Sequence, residues 1–170
     1  MTKKIFAIIL TAMLLTFTPL TAICAESHEP ISAGTYETSS TTVHFEDGSY
    51  MVTVVRQSSI VKSTKSTRSA TYTKVGEKIV NLYDSKDNLQ WTHTVTGTFK
   101  VNEGVSAVCT NSTYSSVIYE NAWSLADHEN SYSDNIAYGT AVYKKKVLFI
   151  TTNTHKVDIS IGCDINGNID

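Results

Sequence analysis

Residues 89–101 alternate between two kinds of side chain. Leu89, Trp91, His93, Val95, Gly97, Phe99 and Val101 fall on one side, and Gln90, Thr92, Thr94, Thr96, Thr98 and Lys100 on the other. Side chains of a β-strand point alternately to opposite faces. A long period of two is therefore what a strand with one buried face needs, and a helix would scatter it around its circumference. Gly97 predicts a bend. The pattern returns at 155–163, where Val157, Ile159, Ile161 and Cys163 read as inward and Lys156, Asp158 and Ser160 as outward. Composition agrees: Ser and Thr supply 43 of the 170 residues, and past residue 25 leucine occurs only at 82, 89, 125 and 148. Such a chain favours strands.

Turn chemistry divides the rest. Asp47-Gly48 separates runs 41–46 and 49–56 and predicts a hairpin, with Val43 and Phe45 sharing a face and Val52 and Val54 sharing one on the partner strand. Runs 70–75 and 78–83 flank Gly76-Glu77, and 84–88 is a turn cluster. Asn102-Glu103-Gly104 leads into a strand with Val105, Ala107 and Cys109 on one face, and 114–119 is another candidate. Residues 120–135 are polar apart from Trp123 and Leu125 and read as a long loop. Strands 136–143 and 147–152 flank Lys144-Lys145-Lys146, read as their turn, and Asp164-Ile165-Asn166-Gly167 is a closing turn. The expected fold is an all-β antiparallel β-sandwich of about 8–10 short strands, with a small β-barrel as the alternative. Cys109, Trp123 and Cys163 mimic immunoglobulin spacing. However, Ile161 stands where a tyrosine corner would need Tyr, and the chain after Cys163 is too short for a last hairpin, so a topology of its own is expected.

The N-terminus reads as an address. Lys3 and Lys4 precede a mostly apolar run over 5–20, followed by Thr21-Ala22-Ile23-Cys24-Ala25 and the acidic Glu26. This is the layout of a signal peptide cleaved after Ala25, giving a secreted, extracellular protein. An uncleaved anchor would need roughly 20 apolar residues, and Thr16, Thr18 and Pro19 interrupt this run. Lipid anchoring through Cys24 is the alternative, although the bulky Ile23 precedes it. The expected organisation is 1–25 signal peptide, 26–40 N-terminal tail, 41–57 β-hairpin, 58–69 Ser/Thr/Lys-rich linker or loop, and 70–170 β-sandwich. Residues 57–69 lack the alternate apolar positions of an inserting pore-forming hairpin. No later segment reads as a transmembrane span. Without the first 25 residues, 12 basic face 16 acidic residues. That balance speaks against a nucleic-acid partner bound by phosphate neutralisation.

Two cysteines in an exported chain, Cys109 and Cys163, read as one structural disulfide. Closing that loop of about 55 residues would stabilise the fold by roughly 4 kcal/mol in the chain-entropy model. Two free buried thiols are the other reading. The sequence holds no zinc spacing, glycine-rich phosphate loop, H-E-x-x-H or G-x-S-x-G, so no catalytic residue, metal ligand or cofactor is nominated. His93 sits among apolar neighbours and reads as a core histidine. Asp127-His128-Glu129 with Asp134 is the densest ionisable cluster, but consecutive residues on a polar loop alternate direction. Asp164, Asn166, Asn168 and Asp170 echo a calcium loop, with the glycine misplaced and no bidentate Glu. Asn111-Ser112-Thr113 is a formal glycosylation acceptor. The threonine row 92, 94, 96, 98 and the nine tyrosines, among them Tyr114, Tyr119, Tyr132, Tyr138 and Tyr143, are the surface features able to meet a glycan or protein.

Several stretches together resemble a group of short secreted proteins of Gram-positive, clostridial-type bacteria to which no activity is assigned. They are the signal peptide, Phe45-Glu46-Asp47-Gly48-Ser49-Tyr50, Arg68-Ser69-Ala70-Thr71, Leu82-Tyr83-Asp84-Ser85, residues 91–99, Cys109, Trp123 and residues 163–168. The resemblance implies export, an all-β fold and a Cys109–Cys163 link, and carries no ligand or catalytic residue. The expected function is non-enzymatic binding of a glycan or envelope protein. The alternatives are a secreted hydrolase with an unrecognised site and a bacteriocin-like toxin.

Overall fold

The computed structural model describes residues 35–64 and 71–170, with the side chains of 59–64 left aside. The expected signal peptide, residues 1–25, lies outside the described residues. Eight strands follow one another: β1 Thr35–His44, β2 Tyr50–Thr64, β3 Thr71–Tyr83, β4 Leu89–Asn102, β5 Ser106–Ile118, β6 Trp123–Ser133, β7 Ile136–Val147 and β8 Ile150–Gly162. They form two antiparallel sheets, β1-β2-β3-β4-β5 and β6-β7-β8, in which every strand pairs with its sequence neighbour. The all-β antiparallel sandwich is therefore the fold. Its two sheets stay open, and their order is a meander rather than the immunoglobulin key.

The strands are longer than the expected short ones. β6 and β7 each absorb a stretch read as loop or turn. β6 occupies much of the polar 120–135 segment, and its outward residues from Asp127 to Ser133 are all exposed. Ladder hydrogen bonds to β7, with Asp127 opposite Val142 and Asn130 opposite Gly139, order it without apolar alternation. The three lysines are likewise the end of β7, and the turn falls at Leu148-Phe149. β1 begins inside the stretch read as tail, and β2 runs to Thr64, opposite Thr71, into the stretch read as linker. β1 and β2 thus extend the five-stranded sheet rather than standing apart as a hairpin.

Three turns share one construction. At 45–49, 84–88 and 164–168 the first residue's N–H donates to the fifth residue's carbonyl, and the fourth donates back to the first. The fourth residue is left-handed in each: Gly48 (φ 81°), Asp87 (φ 64°) and Gly167 (φ 80°). This is a type I turn closed by a bulge, the usual three-residue hairpin loop. Asp84 and Asp164 reinforce it, each carboxylate accepting backbone N–H groups two and four residues on.

The core forms where β4 crosses the three-stranded sheet. Trp91, Val95, Phe99 and Val101 are fully buried, as the alternation requires, and Val157, Ile159 and Ile161 of β8 close the core together with Cys163 just after it. β7 answers with Ala137, Gly139 and Ala141, then Tyr143, whose ring stacks on Trp91 at 3.9 Å between centroids. Small residues are required there. A Cβ at Gly139 would collide with Val95, and one at Gly97 would lie 2.5 Å from Phe99 and 3.1 Å from Ala137. Cys109 and Cys163 are both buried free thiols, so the expected bridge is not among the bonds of this structure. Among the described residues no helix is long and apolar enough to cross a membrane, which leaves strand-built spans unaddressed.

Because β4 and β7 are in contact at Gly139, the Gly139→Ala variant should lose about 1–3 kcal/mol of stability through overpacking. Denaturant unfolding checks this, and an unchanged midpoint would mean that the sheets can part freely.

Candidate functional site

The meander brings the β1–β2 and β3–β4 turns, the β5–β6 connection and the β7–β8 hairpin to one end of the sandwich. A cavity of about 150 Å³ opens there, lined by Asp47, Ser49, Asp84, Gln90, Trp123 and His155 together with Lys145 and Asn153. Each is held by local structure. Asp47 accepts hydrogen bonds from Ser49 N and Oγ at 3.0 and 2.5 Å, and the Ser49 contacts hold its carboxyl below the ordinary carboxylate range. Asp84 is lowered in the same way, chiefly by Asn88. Gln90 is buried. Its Nε2 donates to Asp84 and to the Asn88 carbonyl, and its Oε1 accepts from Trp123 Nε1 at 3.3 Å.

Trp123 starts β6 and forms the back wall. Lys145 Nζ lies 5.8 Å above its ring, and Lys145 pairs with Asn153 across β7 and β8. His155 is wedged between Phe45 and Trp123, with centroids 4.9 and 5.4 Å away. Its Nε2 is buried without a hydrogen-bond partner, and burial pushes its pKa down against the opposing pull of Asp47. The end of the sandwich is thus anionic at the turns, cationic at Lys145, and neutral at a histidine whose buried nitrogen is uncommitted.

A second cluster joins the two sheets beside β5. The Tyr143 hydroxyl meets His93 Nδ1 at 2.9 Å and Ser116 Oγ at 2.6 Å. Tyr114 hydrogen-bonds His128 Nε2, and its ring stacks near His93. Asn130 Nδ2 donates to the Ser112 carbonyl at 2.7 Å. His93 is the buried core histidine that its neighbours imply. Burial first, and the nearby His128 second, push its pKa down to about 4.

The other residues singled out from sequence scatter. Asp127 accepts from the His128 backbone N–H, while His128 turns to Tyr114. Among the described residues no group of His, Cys, Asp and Glu is placed to hold a metal ion. Asp164 spends its carboxylate on Asn166 and Asn168, so that motif is a turn. The row Thr92, Thr94, Thr96 and Thr98 is half-buried on the outer face of β4, with Thr92 bonded to Asn81. Asn111 of the glycosylation triplet is exposed. Tyr143 is buried and Tyr114 partly so, while Tyr119, Tyr132 and Tyr138 are exposed. Cys109 N donates to the Asp134 carbonyl and Cys163 N to that of Asn135, so both cysteines flank one turn at the opposite end. Burial raises both thiol pKa values, that of Cys163 to about 11.

The cavity residues were not legible as a set. Asp47 and Asp84 stood out only as turn formers, and nothing in the one-dimensional pattern links them to Trp123, Lys145 or His155. Compared with protein-family models, with curated proteins and with solved structures, the chain matches none of them.

Acid should weaken the fold through His93. Its ring takes up a proton near pH 6.5 when unfolded and near pH 4 when folded. Between those values the unfolded chain binds the proton that the folded one refuses. The stabilisation is complete above pH 6.5 and falls towards pH 4 by up to about 3 kcal/mol. His155 acts in the same direction. Urea midpoints at neutral and mildly acidic pH measure the drop, and the His93→Gln variant should show a smaller one.

Proposed function

We propose that this chain is an exported binding protein acting at or beyond the cell envelope, and that the end cavity takes a terminal sugar of a glycan. The observation that carries the reading is the make-up of its wall. Carboxylates, amides and a lysine, groups that pair with hydroxyls, line it beside a tryptophan and a histidine. Sugars present hydroxyls at the edge and C–H groups on the face, which suits a small pocket of few polar groups against an aromatic. About 150 Å³ suits one ring rather than a long chain in the groove. Export rests on the layout of residues 1–25, and kinship with the clostridial-type secreted proteins rests on the turn and core motifs quoted above.

A Cys109–Cys163 bond belongs to the same proposal. Both cysteines lie in one core cluster, with their N–H groups on adjacent residues. Intact-mass analysis of protein from culture medium should give a chain starting at Glu26 whose two thiols alkylate only after reduction. Acylated Cys24 or thiols free from the start would overturn it.

A hydrolase reading draws on one observation, the presence of His155 and Asp47 in the same cavity with lowered pKa values. The local hydrogen bonding favours binding instead. A serine nucleophile needs a base within reach of its hydroxyl, and Ser49 Oγ donates to Asp47 rather than to His155.

Saturable binding to wall or surface oligosaccharides is expected in titration calorimetry. Asn153→Ala and Lys145→Ala should each weaken it by about tenfold, the cost of one buried hydrogen bond. Absence of saturable binding to every glycan and wall fragment tried would sink the reading, and turnover of a chromogenic ester or glycoside would replace it with the hydrolase.

A further inference from the structure

The tip of the β7–β8 hairpin projects beyond the cavity. Val147, Leu148, Phe149 and Ile150 are 50%, 86%, 100% and 68% exposed, and every residue from 146 to 152 is exposed. Val147 pairs with Ile150, so Leu148 and Phe149 form a two-residue turn, both left-handed at φ 49° and 68°. Such turns favour Asn-Gly, because a side chain at positive φ crowds its own backbone. The sequence instead puts two large apolar side chains there, in contact with water. A feature strained in the backbone and costly in solvent points to a role outside the folded chain.

The charge around the tip narrows that role. Lys144, Lys145 and Lys146 lead directly into it, and residues 135–157 hold four lysines and no Asp or Glu, although the whole chain carries a net −2. Among the described residues none of Lys144, Lys145 and Lys146 has a carboxylate partner. The protein therefore presents an exposed apolar tip with Lys146, exposed, and Lys144, half-buried, just behind it, while Lys145 lies over Trp123 in the cavity.

We propose that this tip docks on an anionic lipid bilayer, Leu148 and Phe149 entering the edge of the hydrocarbon and the lysines meeting the phosphates behind them. The layering of the tip, apolar at the apex and cationic one turn of chain behind, matches hydrocarbon beneath an anionic headgroup layer. Long lysine stems reach back to the phosphates while their methylenes stay apolar. A protein partner would need a socket for a lone protruding turn; a bilayer needs none. The inference does not rest on the glycan reading, and docking would turn the cavity toward the membrane.

The test is co-sedimentation of the purified chain with phosphatidylcholine vesicles containing roughly a third phosphatidylglycerol. Binding should fall with added salt and drop at least about tenfold on vesicles of phosphatidylcholine alone. The Leu148→Asn, Phe149→Gly double variant should bind at least about tenfold less while unfolding at the same or a higher temperature, because Asn-Gly suits the turn. A Lys144→Gln, Lys146→Gln variant should retain weak binding with a flattened salt dependence. No sedimentation of the wild-type chain, or undiminished sedimentation of the Asn-Gly variant, would overturn the proposal. So would wild-type self-association, lost in that variant, without vesicle binding; that outcome would assign the tip to a second copy of the chain.

Discussion

The close approach of β4 to β7 is the constraint on which the rest of the molecule depends. Gly97 and Gly139 leave no room for a Cβ, and the space is taken by Val95, Phe99 and Ala137. With the backbones this near, the Trp91 and Tyr143 rings meet face to face two pleat repeats further along, four residues from Val95 and Gly139. The stack in turn fixes the Tyr143 hydroxyl where His93 and Ser116 reach it. Small residues at the crossing and large ones beside it let two twisted sheets interdigitate without voids.

That crossing also organises polarity. β5 turns Ser112, Tyr114 and Ser116 toward the other sheet rather than apolar residues, so its contacts with β6 and β7 are hydrogen-bonded, whereas β4 meets β7 mainly through apolar side chains apart from the His93–Tyr143 bond. Most buried polar atoms there find a partner, His93 Nε2 being an exception, and neutral His93 is the acid-sensitive point of the network. At the end of the sandwich the meander sets four connections side by side. Two of them carry carboxylates fixed by their own turns, and the fourth carries the lysines and the apolar tip. The proposed glycan cavity and the proposed membrane-docking tip thus share one pole, reached by strands whose other pole holds the two cysteines.

Regularity decided what was legible in the sequence. The inward sets of β4 and β8 were readable because strict alternation leaves one assignment of faces. β6 was not, since its order comes from the ladder to β7 and not from its own apolar spacing. Lys144, Lys145 and Lys146 looked like a turn because charge usually marks one; the turn lies just beyond, at residues whose type argues against it. A run of three lysines followed by Val-Leu-Phe-Ile was nevertheless a visible signal of the tip.

The sequence by itself determined the class of fold, the faces of the main strands and the position of most turns, because these follow from side-chain period and from the φ preferences of Gly, Asn and Asp. Only the tertiary structure decided which residues meet. Asp47, Trp123 and His155 are far apart along the chain, and no local rule couples them. Their cavity exists because two sheets of unequal width cross at a glycine-lined contact and bring separate turns to one end. Register within a strand is written locally, whereas the packing of one sheet on another is settled by volume and shape summed over the whole core.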